Sequence, residues 1–146
     1  MPSRSGSPET SDTVHALIVE DDILVAAFLE GVLLDRGIIA DRTLMQDCSD
    51  DLRQRRYDVA VVGIDRKSDV VRSSIRLLQH REIPIVLFTV LGDPHRLAAT
   101  FPHLPICLYD ARFSDSIAVR VACAAGARRQ AASDIAPPSA LRSIWQ

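Results

Sequence analysis

Apolar positions along this chain fall into two alternating patterns. Short and nearly unbroken apolar runs occupy residues 14–19, 59–64, 84–89 and 105–109. Runs of this length suit strands covered on both faces of a parallel sheet. Between them lie stretches of helical period. Residues 23–35 carry Leu24, Phe28 and Val32 at four-residue spacing, with Gly37 as the stop. Val71, Ile75 and Leu78 line one face of a third helix, and Ile117, Val121 and Ala125 lie on the buried side of a fifth, over 114–129. A weaker strand falls in 38–44, and a short polar helix over 49–56 turns Leu52 inward. Asp93 before Pro94 predicts a helix over 94–101: an N-cap acceptor precedes a residue whose missing N–H costs nothing in the first turn. Five strand–helix units in this order predict an α/β fold with an open, doubly wound parallel sheet. Such sheets place their sites beyond the C-terminal ends of the strands.

The pattern also sets boundaries. Residues 1–12 are rich in Ser and Pro without apolar period and read as a disordered arm, 13–130 form the domain, and 131–146 read as a disordered tail. In that tail Leu141, Ile144 and Trp145 stand at helical spacing, which leaves open a short helix docking on a partner or on the domain. With 146 residues, 47% of them hydrophobic, one domain with an ample core is expected, without room for a second catalytic or DNA-binding unit. A formal charge of −2 provides no overall positive field for nucleic acid. No apolar run approaches the roughly 20 residues of a membrane span. Cys48, Cys107 and Cys123 form no CxxC pair and sit in apolar stretches, as buried thiols do in a reducing compartment, so a cytoplasmic protein is expected. His15, His80, His95 and His103 show no metal-ligand spacing. The phosphate-cradling GxGxxG and GxxxxGK[ST] motifs and the GxSxG nucleophile turn are missing, so no enzyme is expected.

Chemistry concentrates after the first run, where Glu20, Asp21 and Asp22 crowd three carboxylates at the mouth of the sheet. Their repulsion is commonly offset by a hard cation such as Mg²⁺. Capping of the following helix by Asp21 or Asp22 is the structural alternative, and both roles can coexist. The stretch from His15 to Val25, with this acidic cluster, resembles the opening of a response-regulator receiver domain, and the resemblance extends from Val14 to about Arg129. It implies a flavodoxin-like (βα)5 sandwich with a five-stranded parallel sheet in the order 2-1-3-4-5. It also implies Mg²⁺ held by Asp21 directly and by Glu20 through water. In that family a carboxylate ending the third strand accepts phosphate from a histidine kinase, and a hydroxyl and a lysine grip the phosphoryl oxygens.

Thr89 matches the hydroxyl position, but the acceptor position falls on Gly63, which cannot form an acyl phosphate. Asp65, two residues on, is either a displaced acceptor or a solvated loop carboxylate beside Arg66 and Lys67. The family's lysine is missing as well. Leu108-Tyr109-Asp110-Ala111-Arg112-Phe113 stands in its place, and sixteen of the seventeen basic residues are arginine, with Lys67 the sole lysine. Arg112 is no geometric equivalent. The resemblance therefore implies a degenerate receiver with a weak Mg²⁺ site at Glu20 and Asp21. It would act by protein–protein interaction with a histidine kinase or another signalling protein, and would dimerise through the fourth helix, fifth strand and fifth helix. Thr89, and Tyr109 as an aromatic, would be the switch residues. Two alternatives stay open: phosphotransfer through Asp65 with Mg²⁺, and a small-ligand sensor using the space a glycine leaves at position 63.

Overall fold

The run that opens the domain becomes an interior strand of a five-stranded sheet. A computed structural model describes residues 13–65, 68–108 and 115–135, without the side chains of residues 68, 94, 115 and 128–135. In chain order the elements are β1 (His15–Val19), α1 (Ile23–Leu34), β2 (Ile39–Thr43), α2 (Cys48–Gln54), β3 (Val59–Gly63), α3 (Ser68–His80), β4 (Ile85–Thr89), α4 (Pro94–Thr100), β5 (Ile106–Leu108) and α5 (Asp115–Ile135). All pairings are parallel, and the strands lie in the order β2-β1-β3-β4-β5. This is the flavodoxin-like arrangement expected from the sequence.

The unbroken apolar runs follow from burial on two sides. Ala16, Leu17, Ile18 and Val19 are all fully buried, as are Val59 to Val62 in β3. Successive side chains alternate between faces. Ile18, Val61 and Phe88 pack with Leu29 and Leu33 of α1 and Val121 of α5, whereas Leu17, Val62 and Leu87 pack with Leu52 of α2 and Ile75 and Leu78 of α3. Each such side chain contributes about 1.5–3 kcal/mol of hydrophobic stabilisation. The edge strand β2 carries Asp41 and Arg42 instead, because one of its sides has no strand neighbour.

Three expectations need correction. The buried stripe of α1 is Ala26, Leu29 and Leu33, while Leu24 is 81% exposed. This helix is apolar around much of its circumference, so spacing alone does not choose the face. Its start is set by Asp22, whose Oδ1 accepts from the N–H groups of Leu24 (2.9 Å) and Val25 (3.2 Å), and its buried face by packing of Ala26, Leu29 and Leu33 on the sheet. The segment before α2 forms a single 3₁₀ turn, Met45–Asp47, and the helix itself begins at Cys48. Helix α5 runs to Ile135, past the end expected for it at residue 129. The sequence offers no proline between Asp115 and Ile135 to break it. The arm, residues 1–12, lies outside the described residues, as do Leu141, Ile144 and Trp145 of the tail.

Candidate functional site

The C-terminal ends of β1, β3 and β4 converge on one mouth, and each delivers one feature. β1 ends at Val19, so Glu20 leaves the sheet with its backbone N–H still bonded to the carbonyl of Thr43 (3.1 Å). Its side chain turns over β3. A Cβ placed on Gly63 would collide with the carboxylate of Glu20, mainly with Oε1. Glu20 is only 7% exposed, and its Oε2 accepts from the N–H of Asp22 at 2.9 Å. Burial pushes its carboxyl above the usual range. The Asp22 N–H works against that rise, and the negative charges of Asp22, Asp65 and Asp21 add to it.

Thr89 ends β4 and is fully buried. Its hydroxyl donates to Asp65 Oδ1 at 2.6 Å and accepts from the N–H of Gly92 at 2.7 Å. Asp65 also accepts from the N–H of Val90 (2.7 Å, to Oδ2) and of Leu91 (3.2 Å, to Oδ1). One carboxylate thus holds a hydroxyl and two consecutive amides, a set of short charge-assisted bonds. Gly92 makes the closure possible, since a Cβ there would press on Thr89 Oγ1 and Leu97 Cδ1. Above these groups opens a cleft of about 450 Å³ lined by Glu20, Asp22, Val25, Asp65, Val90 and Leu91.

The mouth therefore brings Glu20, Gly63, Asp65 and Thr89 together, and it revises two readings. Asp65 is exposed, as a loop carboxylate would be, yet it is anchored, because three donors converge on it. Gly63 leaves no vacant space of its own, because Glu20 fills the volume a side chain would take. This overturns the premise of a ligand pocket vacated by the glycine. The backbone donors of Val90 and Leu91 escaped the sequence reading, because amides carry no residue signature. The signal available was Gly92, three residues after a strand-end threonine. Tyr109 and Arg112 lie outside the described residues, as does Lys67.

The donor set is a poor match for Mg²⁺, which demands near-octahedral oxygen coordination. Asp21 Oδ1 accepts from the N–H of Met45 at 2.8 Å, Asp22 Oδ1 caps α1, and Glu20 Oε2 takes the Asp22 amide. Both oxygens of Asp65 are likewise engaged. Among the described residues no three His, Cys, Asp or Glu side chains are grouped so as to hold a metal ion. The acidic cluster has been turned toward capping and loop closure.

No protein-family model matches the chain, and no curated protein matches it in sequence. Solved structures do match in shape. A response regulator receiver protein from Sinorhizobium medicae WSM419 superposes with a TM-score of 0.62 at 18% identity, covering 81% of this chain and 98% of that one. A response regulator receiver protein from Burkholderia phymatum gives 0.63 at 21% identity, over 77% and 94% of the two chains. The signal receiver domain of a histidine kinase from Syntrophus aciditrophicus gives 0.62 at 19% identity, over 79% and 92%. The chain has the fold of response-regulator receiver domains. Among the described residues no helix is long and apolar enough to cross a membrane.

Proposed function

We propose that this chain is a receiver-fold signalling module that works by binding other proteins, without catalysis and without aspartyl phosphorylation. One observation carries the reading: the Asp65 carboxylate already holds the Thr89 hydroxyl and the Val90 amide. These are donors that an incoming phosphoryl group at this mouth would have to recruit. Position 63 has no carboxylate to phosphorylate, and the Glu20 carboxylate lies over it, so an approaching phosphodonor meets negative charge instead of a nucleophile with a counter-cation. A histidine kinase or another protein of a two-component network is the partner this fold suggests. The surface of α4, β5 and α5 is the face through which a pair of copies would associate.

The test is intact-mass analysis after incubation with Mg²⁺ and acetyl phosphate, beside an ordinary receiver labelled under the same conditions. The expected result is a phosphoryl adduct on the control and none on this chain. An adduct that disappears in Asp65→Asn would overturn the reading in favour of phosphotransfer through Asp65.

A further inference from the structure

We propose that the cleft between α3 and the turn after α4 is a docking site for an acidic protein segment bearing apolar side chains. It shares no lining residue with the cleft at the Glu20–Asp65–Thr89 mouth and has a volume of about 420 Å³. Its floor is apolar. Ile75 is buried, and Phe101 and Leu104 are half-buried, packed against the core cluster on that face of the sheet. Its rim carries two cations, Arg72 and Arg76, one helical turn apart on α3, with the His103 imidazole across from them in the turn.

The charges argue for an occupant. Like charges four residues apart on a helix repel each other, a modest cost that a partner's carboxylates would remove. Three other arginines of the described residues do pair: Arg42 with Glu30, Arg53 with Asp50 and Arg55 with Asp41. Among the described residues neither Arg72 nor Arg76 takes part in a salt bridge, and no acidic side chain lines the cleft. Both guanidinium groups are exposed and ready to fork onto carboxylates.

The apolar floor decides the class of ligand. A free anion would gain little from two exposed, screened arginines. A peptide that also seats Leu or Phe side chains on Ile75, Phe101 and Leu104 gains the buried contact that anchors interfaces. Nucleic acid fits less well, because binding domains for it carry a broad basic face, whereas this chain has a net charge of −2. The inference rests on the reading of the chain as a binding module, but not on how the mouth is used. Its failure is therefore separable from a positive result in the phosphorylation experiment.

The test is fluorescence anisotropy on the full chain with a fluorescein-labelled peptide of repeating Glu-Leu-Asp-Phe units. Saturable binding with a Kd of order micromolar, weakening as ionic strength rises, is the expected result. The exposed double variant Arg72→Glu/Arg76→Glu should bind at least about tenfold more weakly, with an unchanged thermal transition. Arg53→Glu, on α2, should match the parent chain, and a peptide with Lys in place of every acid should not bind. Absence of saturable binding would overturn the proposal, as would an equal loss in Arg53→Glu. Competition by a short DNA duplex at equal or lower concentration would reassign the cleft to nucleic acid.

Discussion

Glu20 carries its charge where little water reaches it and where Asp21, Asp22 and Asp65 are close. Its carboxyl therefore holds a proton in the folded chain to higher pH than in the unfolded one, whose ordinary value is 4.5. Below pH 4.5 the residue is protonated in both states and costs nothing. As pH rises through the raised folded value the unfolded chain has already released its proton, so this group's contribution to stability falls, and it stays at its lowest above that value. Glu20→Gln removes the charge while the amide oxygen can still accept from the Asp22 N–H. The variant should be more stable than the parent at pH 7, by about 0.5–2 kcal/mol, with the difference closing below pH 4.5. Urea midpoints at the two pH values read this directly, and an equal or lower midpoint for the variant at pH 7 refutes it. The acidic triplet was plain in the sequence, but the division of labour inside it was not. A cap from Asp21 or Asp22 was legible from their place before an apolar helix, and Asp22 is the one that caps. That Glu20 lies over Gly63 depends on β1 and β3 being neighbours in register, with Val19 opposite Val62.

The link between the ends of β3 and β4 is held by one side chain. Asp65 spans 24 residues of sequence to reach Thr89, and its three bonds fix the first two amides of the β4–α4 connection. With the connection so fixed, Leu91 is left 86% exposed. Asp65→Asn would turn an amide NH₂ toward backbone donors that need an acceptor. Because water can reach these exposed amides, each bond lost costs about 0.5–1.5 kcal/mol. Hydrogen exchange should then quicken at Val90, Leu91 and Gly92 while the amides of β1 and β3 keep their protection. Uniform quickening throughout the sheet, or none at all, would show that Asp65 does not hold the connection. Elements of this kind are partly legible in sequence. Asp93 and Pro94 announced α4, and Asp93 Oδ1 does accept from the His95 N–H at 3.0 Å. The phase of α1 was not legible, because an apolar helix without a polar stripe leaves its rotation to the cap and to packing. The Asp65 contact was not legible either, since it arises only when two loops distant in sequence close on each other.

At the scale of the molecule, fold and site chemistry part company. Three central strands, β1, β3 and β4, are buried on both faces, which is why their runs gave away a parallel sheet before any residue of the site was considered. The receiver fold needs those runs and the crossover helices; it does not need an acceptor aspartate or a metal. A chain can therefore keep the sheet while its carboxylates are redirected to internal bonds, as Asp21, Asp22 and Asp65 are. A ligand that binds only the native state raises stability by RT ln(1 + [L]/Kd), about 2.7 kcal/mol at a hundredfold excess over Kd. Mg²⁺ at a concentration that saturates an ordinary receiver should thus raise the Tm of that receiver. It should leave the Tm of this chain where ionic-strength-matched NaCl leaves it. A rise specific to Mg²⁺ that is lost in Asp21→Asn would mean that Glu20 and Asp21 rearrange around the ion. The acidic cluster would then regain the metal-binding role that its hydrogen bonds now argue against, and the case for a mouth closed to phosphoryl chemistry would rest on Gly63 and Asp65 alone.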